Sequence, residues 1–180
     1  MEANEQTLIL VNENDEQTGT MEKLEAHRKA LLHRAFSVFI FNPIGEMLLQ
    51  QRATSKYHSA GLWTNACCSH PRPGEETMAA ASRRLKEELG FETELLKIFD
   101  FTYKANFSNG LTEHEFDHVY VGRYNGAINP DTKEVSDYIY KSLSEIENNL
   151  QLQPKKYTAW FHIAFPKIKE WWRNNLNQSV

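Results

Sequence analysis

The sequence predicts an α+β fold in which helices flank a core of mixed β-strands. Short runs rich in β-branched and aromatic residues alternate with turn residues, and other segments place apolar residues three and four positions apart. The chain has 180 residues, 41% hydrophobic and 12% aromatic, which is enough to bury one core without staples. Because no repeat or interdomain linker is visible, we expect a single domain over residues 1–180.

The first part of the chain is predicted to be mostly β. A strand is expected at residues 8–11 and a partly helical segment at residues 21–32. Residues 35–42 and 46–52 flank a turn that contains Pro and Gly, so they are expected to form a hairpin. Residues 53–65 have the composition of a loop.

A helix is expected next, because four apolar residues share one face at helical spacing: Met78, Ala81, Leu85 and Leu89. Gly90 supplies its C-terminal stop. Glu88 is expected one turn after Arg84, on a neighbouring face of the same helix.

The last part of the chain alternates strands and helices. Further strands are expected at residues 94–103, 116–124 and 135–140. A helix is expected at residues 144–150. The amphipathic, aromatic segment 155–176 is interrupted by Pro166, which we expect to split it into two helices.

Composition excludes several classes of function. The net charge is −4 and Lys and Arg are scattered, so we expect no binding to nucleic acid or to an anionic membrane, although local basic residues can serve a small anionic ligand. The two cysteines are adjacent and cannot join distant segments, which indicates a reducing compartment. No apolar run approaches the ~20 residues of a membrane span and no targeting signal is visible, so we expect a cytoplasmic protein, either a monomer or a weak dimer.

Two groups of side chains could carry chemistry. Glu113 and Glu115 stand two positions apart at the start of a predicted strand, so they share a face and attract a cation. Three imidazoles precede them, at His27, His33 and His70, and nitrogen and oxygen donors together suit Mn²⁺ or Zn²⁺. A single histidine, however, more often has a surface or core role.

The adjacent thiols Cys67 and Cys68 lie before a turn rich in proline, in what the sequence presents as an exposed loop. A nearby metal and a helix N-terminus could lower the pKa of either thiol. The chemistry of the residues alone therefore leaves both as candidates for a catalytic cysteine, with a buried structural cysteine as the ordinary alternative.

The segment from Arg83 to Phe91, with Glu75 eight residues before it, resembles the Nudix box. That box reads Gly, five residues, Glu, seven residues, then Arg-Glu-apolar-any-Glu-Glu-any-Gly-apolar. Ser69 stands where the box has its glycine, and Arg84 stands where it has the first glutamate of the Arg-Glu pair. In Nudix hydrolases that glutamate helps to hold the metal that activates water, so the departure argues against an ordinary diphosphate hydrolase.

The stretch Thr-Asn-Ala-Cys-Cys-Ser-His-Pro at residues 64–71 is similar to the active-site stretch of type I isopentenyl-diphosphate delta-isomerases, a family with the Nudix fold. The resemblance extends over about residues 8–172. It implies a Nudix-like mixed β-sheet flanked by helices. It also implies isomerisation of isopentenyl diphosphate to dimethylallyl diphosphate, in isoprenoid biosynthesis, by protonation and deprotonation across a metal-containing pocket. An isoprenoid diphosphate would then be the small-molecule partner.

The resemblance assigns roles to particular residues. The active cysteine would be Cys68, two residues before the histidine of the stretch, acting with Glu115 and Tyr103. A Mn²⁺ or Zn²⁺ ion would be held by His27, His33, His70, Glu113 and Glu115. Glu88 would hold Mg²⁺ that bridges to the substrate diphosphate. Substrate contacts are implied for Lys23, Arg52, Lys56, Ser69, Arg84 and Trp160.

Two other functions remain open at this point, a Nudix diphosphohydrolase and a metal-stabilised or ligand-binding module. Arg84 counts against the hydrolase. Vicinal cysteines count against the module, because a structural zinc site has four closed ligands with its cysteines spaced apart. The histidines outside the family positions are expected to be structural: His58, His114, His118 and His162.

Overall fold

A computed structural model describes residues 7–175 of the protein. The β-strands are β1 (Thr7–Val11), β2 (Gln17–Glu22), β3 (His33–Phe41), β4 (Met47–Arg52), β5 (Trp63–Thr64), β6 (Cys67–Ser69), β7 (Leu95–Asn106), β8 (Thr112–Arg123) and β9 (Val135–Lys141). The helices are α1 (Lys23–Arg28), α2 (Thr77–Leu89), α3 (Leu143–Leu152), α4 (Ala159–Asn175) and a 3₁₀ turn at Pro154–Lys156. The α+β prediction is therefore confirmed, and β2, β5 and β6 are strands that were not predicted from the sequence. Within these bounds no helix has the length and apolar character needed to cross a membrane.

Strand β3 is the centre of the sheet. It runs parallel to β8 over its whole length, and β7 continues the sheet antiparallel to β8. The other edge of β3 pairs with β1 at His33, with β6 at residues 36–38 and with β4 at Phe41. Strand β4 then pairs with β9 and β5.

The predicted hairpin is right at its turn and wrong along its arms. At the turn, the Asn42 N–H donates to the Glu46 carbonyl and the Gly45 N–H donates to the Asn42 carbonyl. Beyond it, β3 and β4 pair at one position, Phe41 with Met47. The physical reason is that β6 occupies the edge of β3 that a hairpin partner would use.

Both faces of β3 are buried, so it reads as a continuous apolar run and not as an alternating one. Phe36, Val38 and Ile40 face a core cluster that includes the apolar side of α2. Phe39 and Phe41 face a second cluster, built with α4. The sheet is thus a middle layer between α2 and α4.

The central helix α2 ends where the sequence predicts, since Gly90 has φ 76° and its N–H donates to the Lys86 carbonyl. A Cβ at this position would lie 2.5 Å from the Asn129 carbonyl oxygen, so only glycine fits. The predicted apolar face is rotated, however. The buried stripe includes Ala80 and Glu88, whereas Met78 is 45% exposed.

Helix α4 is continuous through Pro166, so the predicted split is wrong. A proline inside a helix removes one hydrogen bond and costs ~3 kcal/mol. Buried residues on both sides of it, including Phe161 and Trp172, pack into the same core cluster, and that shared burial outweighs the loss. Pro166 itself is exposed.

Candidate active site

Two connected cavities open above the sheet. An interior cavity of about 70 Å³ is lined by Lys23, Ser37, Gln50, Arg52, Lys56, Tyr57, His58, Cys68, Ser69, His70, Arg84, Glu88, Tyr103, Glu113, Glu115, Glu134 and Trp160. An outer basin of about 660 Å³ shares seven of these residues: Lys23, Lys56, Tyr57, Ser69, His70, Arg84 and Glu134. All six side chains expected to contact substrate therefore line the interior cavity: Lys23, Arg52, Lys56, Ser69, Arg84 and Trp160.

Helix α1 and the start of β3 supply two buried imidazoles whose tautomers are fixed. His27 Nδ1 lies 2.6 Å from the Lys23 carbonyl oxygen, and His33 Nδ1 lies 2.9 Å from the Leu31 carbonyl oxygen. A carbonyl only accepts, so each neutral ring carries its hydrogen on Nδ1 and has a lone pair on Nε2. Both Nε2 atoms are buried without a hydrogen-bond partner. Such orphaned acceptors fit metal ligation.

Strand β8 brings the carboxylates of Glu113 and Glu115 close to these imidazoles. The parallel register sets His33 beside Glu115, whose Oε1 lies 3.5 Å from His33 Nε2 and 3.0 Å from His70 Nε2. The donor atoms of His27, His33, His70 and Glu115 all lie within 4.8 Å of one another. Glu113 joins His27 in a second such group. Four of the five predicted ligands thus form one group, Glu113 lies in a second group that shares His27, and each group could hold a divalent metal ion.

Protonation states in this cluster suit a metal. Burial opposes ionisation of Glu115, but contacts with His33 and His70 outweigh it and hold the pKa of this carboxyl well below its ordinary value. Burial lowers the pKa of His70 to about 3 and also lowers the pKa of His27. Neutral imidazoles beside an ionised carboxylate are the forms that bind a metal ion.

Tyr103, on β7, links the two carboxylates. Its hydroxyl lies 2.6 Å from Glu115 Oε2 and 3.0 Å from Glu113 Oε2. Burial, followed by the charges of both glutamates, raises the pKa of Tyr103 well above its ordinary value. One hydroxyl has one hydrogen to donate, so a bound cation would satisfy the second carboxylate.

The two cysteines lie on β6 and not on an exposed loop, and successive residues of a strand face opposite sides. Cys67 is fully buried in the core under α2, whereas Cys68 lines the interior cavity. The Cys68 thiol donates to Asn65 Oδ1 at 3.0 Å and lies 3.5 Å from Ser37 Oγ. In the protein without a metal ion, burial raises the pKa of both thiols, helped by the charge of Glu88 for Cys67 and of Asp117 for Cys68.

Several cations line the same interior cavity. The Arg52 guanidinium lies 5.3 Å from the centre of the Trp160 ring, and the Lys23 ammonium lies at the same distance from the Tyr57 ring. Burial, together with the charges of Lys56 and Arg52, lowers the pKa of Lys23. This mutual repulsion would be relieved by an anion.

Glu88 is buried at the inner end of α2, where its carboxylate is held from two sides. Arg84 Nη2 donates to Oε1 at 2.8 Å, and Gln50 Nε2 donates to Oε2 at 2.9 Å. Glu88 therefore lies one turn after Arg84, as expected, and belongs to the buried side of the helix. Among residues 7–175, the clusters of three or more donors do not include Glu88, so a metal ion there would need oxygens from a ligand.

Sequence reasoning misses several residues that line the interior cavity or are bonded to residues that line it. Asp117 continues the two-residue alternation of the glutamates along β8, is buried, and accepts a hydrogen bond from Ser37 Oγ at 2.6 Å. Glu134 contacts Lys56 and lies 3.5 Å from Arg84. His58, expected to be structural, lies in the cavity. The other three expected structural histidines bond elsewhere: His114 to the Ala30 carbonyl, His118 to Asp15 and His162 to the Pro154 carbonyl.

Comparisons with known proteins agree with this architecture. The NUDIX domain family matches residues 31–161. A solved MutT protein from Methanosarcina mazei superposes with a TM-score of 0.64 at 20% identity, covering 77% of this chain and 94% of that one. At this identity the likeness shows the fold.

Curated relatives are much closer in sequence. The chain is 52% identical to the isopentenyl-diphosphate Delta-isomerase of Pectobacterium atrosepticum, over 92% of this chain and 93% of the relative. It is 49% identical to the enzyme of the same name from Serratia proteamaculans, over 87% and 88% of the two chains. The chain therefore belongs to the Nudix family and, within it, to the isopentenyl-diphosphate Delta-isomerases.

Proposed function

We propose that the protein interconverts isopentenyl diphosphate and dimethylallyl diphosphate, a step of isoprenoid biosynthesis. The observation that carries this proposal is that one small cavity is lined by a thiol, by a tyrosine–glutamate pair and by four cations: Lys23, Arg52, Lys56 and Arg84. Moving a double bond requires a group that gives a proton at one carbon and another that takes one at the next carbon but one.

The two proton-transfer groups come from strands on opposite edges of β3. Cys68 lies on β6, and Glu115 lies on β8 with Tyr103 bonded to it. In the forward direction the Tyr103–Glu115 pair gives a proton to the terminal carbon, and Cys68 as thiolate takes the proton from C2. In the reverse direction Cys68 is the donor, as the thiol that burial favours.

The cationic intermediate between these two steps has to be kept from water. Trp160 is 3% exposed and lines the cavity, so its indole face can lie against the isoprene tail and stabilise positive charge. Ser69 lies between the interior cavity and the outer basin and can contact the diphosphate.

Two ions serve different ends of the substrate in this proposal. His27, His33, His70, Glu113 and Glu115 would hold Mn²⁺ or Zn²⁺, and such an ion would supply a Lewis acid that orients Glu115 and biases its proton affinity. Glu88 would offer one carboxylate to Mg²⁺, an ion that commonly takes its other ligands from substrate phosphates.

The diphosphohydrolase alternative is not favoured. Arg84 takes the place of a metal-binding glutamate of the box, and its guanidinium lies on Glu88 at 2.8 Å and on Glu87 at 2.7 Å. With an arginine in that place, one carboxylate ligand of a hydrolytic metal site is missing, and Glu88 suits only an ion whose remaining ligands come from the substrate diphosphate.

The test is incubation of the metal-loaded protein with isopentenyl diphosphate in heavy water. We expect dimethylallyl diphosphate with deuterium in a methyl group, and no inorganic phosphate. Phosphate from a nucleoside diphosphate derivative, without allylic product, would replace this proposal by the hydrolase. Cytoplasmic location and a monomer or weak dimer stay predictions, which cell fractionation and sedimentation can check.

A further inference from the structure

We propose that Asn65 is a positioning residue for the catalytic thiol: its amide oxygen holds the Cys68 sulfur where it can reach C2 of the substrate. This inference rests on the proposed function and adds a residue to it. Asn65 is fully buried and lies between β5 and β6. The Cys68 thiol donates to Asn65 Oδ1 at 3.0 Å, and Cys68 lines the interior cavity. One side chain thus connects the buried core to the thiol of the cavity.

The orientation of the Asn65 amide is determined by its own partners. Nδ2 lies 3.0 Å from the Val38 carbonyl oxygen and 3.0 Å from the Cys67 carbonyl oxygen, so both of its hydrogens are donated. A carbonyl oxygen only accepts, so the amide cannot be turned over without losing both bonds. Oδ1 therefore faces Cys68 as an acceptor. It accepts a second hydrogen bond from the Thr64 hydroxyl at 2.9 Å.

Three elements of the fold hold this amide. Val38 belongs to β3 and pairs with Cys67 of β6, so the two carbonyls that accept from Asn65 lie on paired strands. The Thr64 hydroxyl accepts in turn from the hydroxyl of Thr158, which directly precedes α4, at 2.9 Å. Both threonines are buried. The position of Oδ1 is therefore set by the core of the protein.

Ser37, the register partner of Cys68 on β3, gives the sulfur a second oxygen contact. Ser37 Oγ lies 3.5 Å from Cys68 Sγ and donates its own hydrogen to Asp117 Oδ2 at 2.6 Å. A cysteine without such partners can occupy three staggered rotamers. Contacts with two fixed oxygens favour one of them, so the thiol is already placed when the substrate binds.

Loss of this placement would change the fate of the cationic intermediate. After the Tyr103–Glu115 pair has protonated the terminal carbon, Cys68 can take a proton from C2 and give dimethylallyl diphosphate. Alternatively, the pair can take a proton back from the new methyl group and regenerate isopentenyl diphosphate. In heavy water this return leaves deuterium in the terminal methylene of the recovered substrate. A displaced thiol therefore raises the ratio of deuterated recovered substrate to allylic product.

The experiment measures this ratio early in the reaction, by mass spectrometry, for the metal-loaded wild type and variants in heavy water. The ratio compares two products of the same protein, so it does not depend on the folded fraction. We expect it to rise by about 2- to 10-fold in Asn65→Ala, the factor that one hydrogen bond contributes. Asn65→Ser, which keeps a donor for one of the two carbonyls, should show a rise as well. Thr64→Val is the matched control, because it removes a buried hydrogen bond to the same Oδ1 and should lower Tm without changing the ratio.

Other results would overturn the proposal in distinguishable ways. The wild-type ratio in a folded Asn65 variant would mean that the amide has a structural role alone. An equal rise in Thr64→Val would assign the effect to a general loosening of β5 and β6. If the wild type gave no dimethylallyl diphosphate, the proposed function would be wrong and this inference with it.

Discussion

Glu88→Gln isolates the charge of one carboxylate while keeping its shape. Glu88 and Arg84 side chains are 6% and 15% exposed, and they meet at 2.8 Å. Breaking a buried ion pair costs ~3 to 5 kcal/mol, but Arg84 keeps Glu87 at 2.7 Å and Glu134 at 3.5 Å. The new amide also keeps an oxygen for Gln50 or Arg84. We therefore expect a smaller loss, about 2 kcal/mol, near the value of one charged hydrogen bond.

Thermal and urea unfolding measure this loss, which corresponds to about 4 to 8 °C in Tm for a chain of this size. Glu87→Gln is the matched control, because it removes a charge from the same arginine at a more exposed position and should cost less than about 1 kcal/mol. Equal losses in the two variants would refute the reasoning from burial.

The same Glu88→Gln variant tests the separation of the two ions. It should weaken Mg²⁺-dependent binding of a diphosphate analogue but leave the transition metal bound, since Glu88 lies outside the clustered donors. Metal analysis with and without the analogue checks both statements. If the substrate-free variant emerged from purification without its transition metal, the two-site interpretation would be wrong.

Three further predictions concern other parts of the molecule. Cys68→Ala should lower turnover by a factor of about 10² to 10⁴ with metal content unchanged. Cys67→Ala, in the core, should lower stability and keep most of the turnover. The reverse ranking in a steady-state assay would exchange the roles of the two cysteines. His70→Ala and Glu113→Ala should each lose the transition metal on dialysis, as elemental analysis would detect, and full retention would contradict the ligand assignment. Pro166→Ala should raise Tm, because the exposed position loses no packing and regains a helix hydrogen bond. An unchanged or lower Tm would show that Pro166 does not destabilise α4.

Local patterns in the sequence were enough to predict parts of the site. The two-residue spacing of Glu113 and Glu115 predicted that both lie on one face of a strand, and both are buried there. The same alternation reaches Asp117, so that residue could have been found by extending the pattern by one step. Gly90 marked the end of α2 because a left-handed cap has few alternatives to glycine.

Features that depend on distant partners were harder to predict. The cysteine stretch has the composition of a loop, and it is a strand only because β3 offers it an edge. His58 reaches Glu113 through a loop conformation that has no periodic signal in the sequence. Pro166 was expected to end a helix, and only the core cluster on both sides of it explains why α4 continues.

The parallel pairing of β3 with β8 also has a consequence for how the protein acquires its metal. His33 and Glu115 are register partners, yet strands β4 to β7 and helix α2 separate them in the chain. Parallel pairs of this kind need a long crossover, and such distant contacts form slowly during folding. The three histidines of the site are synthesised before Glu113 and Glu115. A nascent chain that lacks β8 therefore offers the metal ion only the nitrogen donors of this site. We expect the transition-metal ion to bind only when β8 has paired with β3. Stopped-flow refolding with a metal indicator would then show metal uptake in the slowest phase. Competition between different metal ions for the site would be decided at the end of folding.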